Sequence, residues 1–114
     1  MSEIQGIVRF KFHDGQVEAF KRLSAQAMEI VRTRDTGTLQ YDTYLNEDES
    51  EAVVLERFRD SDALIEHGEH MAALMEPIIA TGTVTGEILG ELSPELRARI
   101  TGDNPQIFAP YMSM

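Results

Sequence analysis

Between Ile4 and Leu92 the spacing of apolar residues switches from two to nearly four and back, twice over, and few architectures accept that order. Ile4, Gly6, Val8, Phe10 and Phe12 alternate with Gln5, Ile7, Arg9 and Lys11, which predicts a strand with one apolar face. His13-Asp14-Gly15 supplies a turn, with His13 in solvent. From Gln16 to about Arg34, Val17, Phe20, Leu23, Ala27, Ile30 and Val31 recur three or four apart, the apolar face of a helix. Asp35-Thr36-Gly37 ends that helix, and Gly37 is expected in a left-handed conformation. Two strands follow, about Thr38–Asn46 and Glu51–Arg59. Glu47-Asp48-Glu49 reads as the solvated tip of the hairpin between them.

Asp60 or Ser61 is a good cap for a second helix that continues through Leu64, Ile65, Met71, Leu74 and Met75. Proline inside a helix costs about 3 kcal/mol, so Pro77 predicts an end near Met75 or Glu76. A fourth strand, about Thr81–Leu92, carries Gly82, Gly86 and Gly90, which suggest bends or close backbone approach. The order β-α-β-β-α-β is that of a ferredoxin-like α+β domain, here assigned to residues 1–92. Residues 93–114 form an extension. Ser93 caps a short helix that starts at Pro94 and ends at Thr101-Gly102. The apolar stretch Gln106–Met112 is then expected to dock.

At 114 residues the chain makes one domain that buries roughly two thirds of its unfolded surface. Twenty acidic residues against ten basic ones give a formal charge of −10, which repels polyphosphates and anionic lipids. Neither nucleic acid nor membrane is therefore expected as a partner. The sequence contains no cysteine, which excludes disulfides and thiolate chemistry. No apolar run is long enough for a bilayer, the first residues lack the pattern of a signal peptide, and the cytoplasm is the default location. A single sheet with both helices on one side leaves its other face, with Ile7, uncovered. A homodimer formed through that face is expected, the C-terminal segment reaching across the partner.

Gly37, Tyr41, Glu56, Arg57, Phe58, Asp60, Ala63, Leu64 and His67 follow a pattern: a Gly and a Tyr-bearing strand, a Glu-Arg-aromatic-x-Asp strand end, then a helix with Ala-Leu and His. In this the chain resembles the antibiotic biosynthesis monooxygenase domain family, and the C-terminal extension resembles that of some quinol monooxygenases. The resemblance implies a dimeric α+β barrel with a pocket in each subunit between sheet and helices. It also implies oxygenation of a phenolic or quinol-type small aromatic molecule by molecular oxygen, without metal, flavin or haem. Two departures stand out. The strand-end aromatic, often Trp, is Phe58, and the chain has no tryptophan. Haem-degrading relatives look to use an Asn-Trp-His set, so that activity is not expected.

Without a redox cofactor, the substrate itself must reduce oxygen, and a phenolate does so far better than a phenol. Such a site needs a base that titrates near working pH, a dry apolar chamber and a donor for the developing oxyanion. His67 is the base candidate, since imidazole titrates near neutrality and the residue falls on the motif's His. Met71 and Met75 follow at four-residue steps along the same helical stripe, and His70 is one turn from His67. Tyr41 is expected to look toward the helices, and Phe58 to stack on a planar ring. Each also has a plain structural reading: the methionines and aromatics as core, the histidines as surface or hydrogen-bonded groups. Glu56 and Arg57 read as ordinary cross-strand pairs. His67 and His70 lack a clear third metal ligand, and no metal is expected. Two other functions fit the same fold, a non-catalytic ligand-binding or stress-response module and a muconolactone-type isomerase.

Overall fold

The computed structural model describes residues 2–114. Its elements are β1 (Ile4–Phe12), α1 (Val17–Arg34), β2 (Thr38–Leu45), β3 (Glu51–Phe58), α2 (Ser61–Ile79), β4 (Gly82–Leu89), α3 (Pro94–Arg99) and β5 (Gln106–Phe108). The sheet order is β2-β3-β1-β4-β5. β1 sits at the centre, antiparallel to β3 and β4; β2 pairs antiparallel with β3, and β5 runs parallel to β4. The architecture is α+β and ferredoxin-like, with a fifth strand and a third helix added by the C-terminal stretch. No helix of the described residues is long and apolar enough to cross a membrane.

The alternation in the strands decides which face each side chain takes. Directly opposed residues share a face, so Phe10, Ala52 and Val84 lie together, as do Gly6, Glu56, Ile88 and Tyr41. The helices cover this face. Phe20 of α1 packs against Phe10 and Phe12 with ring centroids 4.8 Å away in both cases. Ala27, Val54, Met71 and Ile78 complete this core. A second apolar cluster gathers Ile4, Phe58 and Ala63 with Leu92 and Leu96 from the C-terminal stretch. On the opposite face Ile7, Val53 and Leu55 are half-buried, and Arg9–Glu87 (3.4 Å) and Arg57–Glu3 (3.1 Å) form ion pairs.

Asp60 caps α2, its Oδ1 accepting from the Ala63 N–H at 2.9 Å, and Ser93 Oγ accepts from the Leu96 N–H at 3.1 Å to cap α3. Two expectations need correction. α2 does not stop before Pro77 but runs through it to Ile79. The proline stands in the final turn, where its fixed φ suits the helix and only one intrahelical bond is forfeited. Gly37 is not left-handed, because Asp35 ends α1 in extended backbone (φ −71, ψ 137). Glycine is required there by proximity, since a Cβ would come within 2.5 Å of the Ala63 Cβ. In the C-terminal apolar segment Ile107 packs into the second cluster, while Tyr111 is 94% exposed in the single chain.

Candidate functional site

Between the sheet and α2 lies a hollow of about 460 Å³, within the usual range for a small-molecule pocket. Its origin is visible in the sequence. Gly6 and Gly86 stand on neighbouring strands and face the helices, and Gly68 stands on α2 above them. Three missing side chains leave the space. Val8, Phe10, Val54, Met71 and Ile88 make the walls apolar. Met75 and Ile79, 45% and 49% exposed, sit where the hollow meets solvent. Asn104 and Pro105 close the edge beside β4. The Asn104 side chain donates to the Val84 carbonyl and accepts from the Gly86 N–H, both at 3.0 Å, and so is fixed to the strand.

His67 enters this hollow from α2 and is nearly buried. Its Nδ1 lies 2.7 Å from Asp35 Oδ2, and His70 Nδ1 lies 2.7 Å from Asp35 Oδ1. The Thr38 hydroxyl donates to Asp35 Oδ2, also at 2.7 Å. The Asp35 side chain is 1% exposed. Burial alone would raise its carboxyl, but hydrogen bonds from His70, His67 and Thr38 outweigh burial and hold it below the ordinary carboxylate range. Asp35 is therefore an anion at neutral pH and can only accept. Both Nδ1 atoms must carry the proton. In neutral His67 the lone pair then sits on Nε2, which makes no hydrogen bond among the described residues.

Tyr41 and Phe58 bracket the imidazole with ring centroids 5.4 and 5.2 Å away. Tyr41 also lines the hollow, and its hydroxyl has no hydrogen-bond partner among the described residues. Burial, followed by the nearby charges of Glu56 and Asp35, pushes its phenol up, so it stays a neutral O–H donor. Glu56, directly opposite Tyr41 on β3, lines the hollow too. Burial is the largest influence on its carboxyl and raises it; Asp35 adds to the rise and His67 opposes it.

Of the residues singled out from the sequence, His67, Tyr41, Met71 and Met75 meet in this hollow. Phe58 does not line it. With 0% exposure it has no face for a substrate ring and serves as a wall behind His67, a correction to its expected stacking role. His70 also stays outside the lining and holds the second oxygen of Asp35. Asp35 and Glu56 went unrecognised. A signal existed for Glu56, a carboxylate in the otherwise apolar alternation Ala52-Val54-Glu56-Phe58. Asp35 gave none, because it meets His67 only once α1 and α2 lie side by side. Asp35, Glu66 and His70 place three potential metal-ligand atoms within 4.8 Å of one another. Both Asp35 oxygens are bonded to histidines, and Glu66 accepts from the Thr36 N–H and hydroxyl.

Chemically, the arrangement offers one oriented proton acceptor and two free polar groups in an apolar chamber. The family description "Antibiotic biosynthesis monooxygenase" matches residues 6–75. No curated protein sequence matches the chain. Among solved structures, MupZ from Pseudomonas fluorescens is similar over 98% of this chain and 88% of its own, with a TM-score of 0.82 and 20% identity. Rv0793 from Mycobacterium tuberculosis is similar over 81% of this chain and 97% of its own, at TM-score 0.71 and 27% identity. SnoaB, a cofactor-independent oxygenase from Streptomyces nogalater solved as the mutant N63A, is similar over 77% and 91%, at 0.67 and 18%.

Proposed function

The chain belongs to the antibiotic biosynthesis monooxygenase family, and we propose that it oxidises a phenolic or quinol-type molecule with molecular oxygen, His67 acting as the base. The observation that carries this reading is the free Nε2 of His67, set in an apolar hollow while Asp35 holds Nδ1. Nε2 takes the phenolic proton, and the imidazolium that results is stabilised by the buried Asp35 carboxylate. The phenolate passes one electron to oxygen; the resulting radical pair joins at a ring carbon as a peroxide, which loses water to give the quinone. One oxygen atom enters the product and the other leaves in water. The apolar walls of Val8, Phe10 and Met71 exclude the solvent that would otherwise hydrate the phenolate.

The likeness to SnoaB, itself a cofactor-independent oxygenase, is in keeping with this reading. So is the uncovered sheet face: Ile7, Val53 and Leu55, with the exposed Tyr111 and Met112, suit packing against a second copy. Sedimentation is expected to give a dimer at micromolar concentration, and a monomer refutes that part.

Oxygen uptake with a panel of phenols and hydroquinones in chelator-treated buffer tests the reaction. His67→Ala is expected to lower the rate by about 10²–10⁴. Undiminished uptake in that variant removes His67 from its role. Turnover that continues without oxygen assigns the site to isomerisation.

A further inference from the structure

The bond on the far side of Asp35, from His70, has no part in the reaction proposed above. Resting on that reading of His67 as the base, we infer that His70 is a positioning residue: its bond keeps Asp35 ionised and turned so that His67 carries its proton on Nδ1 and presents a bare Nε2 to the hollow.

Geometry supplies the first argument. Asp35 ends α1, and its two oxygens are divided between two imidazoles one turn apart on α2. Oδ2 accepts from His67 and from the Thr38 hydroxyl, whereas among the described residues Oδ1 accepts from His70 alone. Two donors on one helix fix both the place and the plane of the carboxylate. Glu66, the other carboxylate beside His70, is engaged by the Thr36 N–H at 2.9 Å and the Thr36 hydroxyl at 3.0 Å, and so leaves the His70 Nδ1 to Asp35. His70 does not line the hollow, so its influence on the site passes through Asp35.

Charge supplies the second. The Asp35 side chain is almost wholly buried, and a buried anion persists only while its oxygens are bonded. Burial pushes the carboxyl up, and the bond from His70 comes first among those that hold it down. Without that bond Oδ1 is left bare, and the carboxyl takes a proton from solvent. A neutral carboxyl donates, and His67 Nδ1, 2.7 Å away, is the acceptor within reach. The imidazole's own proton then moves from Nδ1 to Nε2, where the lone pair had been. His67 in that form has nothing with which to take a phenolic proton.

The test is side-chain nitrogen NMR of the histidines near neutral pH. In wild-type protein the neutral forms of His67 and His70 are both expected to carry the proton on Nδ1 and none on Nε2. His70→Asn sets an amide N–H₂ about where Nδ1 stood and is expected to keep that form at His67. His70→Phe, similar in size but without a donor, is expected to move His67 largely to the Nε2–H form. Turnover should follow: kcat is expected to fall about 10–100-fold in His70→Phe with KM within about twofold, and most of the loss to be recovered in His70→Asn. A merely structural His70 leaves the His67 tautomer unmoved. That result overturns the inference, and so does an Nε2–H form at His70 in the wild type. The wild-type measurement needs no variant and decides the matter if His70→Phe does not fold. Neither spectrum needs substrate. A tautomer that moves as expected in a protein that oxidises no phenol keeps the positioning role and removes the oxygenase, and an unmoved tautomer in an active oxygenase does the reverse.

Discussion

Asp35→Asn tests the buried cluster most directly, because it changes charge and donor count while keeping shape. Asp35 accepts from His67, His70 and Thr38, each at 2.7 Å. A hydrogen bond to a charged group contributes about 1 kcal/mol more than a neutral one, so loss of the charge costs about 3 kcal/mol over three bonds. The amide also presents an N–H₂ where one of the three donors now points, and that pair must reverse. For a domain of 114 residues, this corresponds to a fall in Tm of about 12 °C. Urea unfolding followed by circular dichroism measures it. The pH dependence has a definite sign. The folded carboxyl lies below its ordinary value of 3.8. Its contribution is therefore complete above that value and is lost as pH falls through the lower folded one. The gap between wild type and Asp35→Asn should narrow in strong acid, as pH falls through the titration of the folded carboxyl. A gap under about 0.5 kcal/mol, or one that ignores acid, refutes the ionised, thrice-bonded Asp35.

Gly37→Ala drives a Cβ to 2.5 Å from that of Ala63; denaturant unfolding is expected to show a loss of about 1–3 kcal/mol, partly restored in Gly37→Ala/Ala63→Gly. Gly68→Ala meets nothing within 4 Å and removes a glycine from a helix interior. It is expected to stabilise by about 0.8 kcal/mol, read as a rise in Tm of about 3 °C. Met71→Ala empties a buried position that both packs the core and lines the hollow. Equilibrium unfolding should register a loss of about 2–4 kcal/mol, and phenols should bind more weakly.

Much of the architecture could be read from the chain because its information is local. Alternation in Ile4–Phe12 and the three-and-four spacing from Val17 onward each depend on neighbours a few residues apart. His67, Met71 and Met75 were legible for the same reason, being one stripe of one helix. What could not be read depends on distant residues meeting. Asp35 and His67 are 32 positions apart and interact only through packing of α1 on α2. Gly37 shows the same limit: the turn chemistry pointed to backbone freedom, whereas a side chain on another helix sets the constraint. Pro77 was misread through position, since the penalty for a proline depends on how many turns follow it. Phe58 was placed on the correct face, but periodicity does not tell a wall that touches ligand from one lying behind it.

Asn104 and Pro105 reach the hollow from a stretch outside the segment that carries Asp35, Tyr41, Glu56 and His67. This divides labour along the chain. A change at this rim alters the opening of the hollow, while the proposed base and its carboxylate lie upstream. Exchange of residues 101–108 between relatives thus becomes a way to retune selectivity without disturbing the imidazole and its carboxylate.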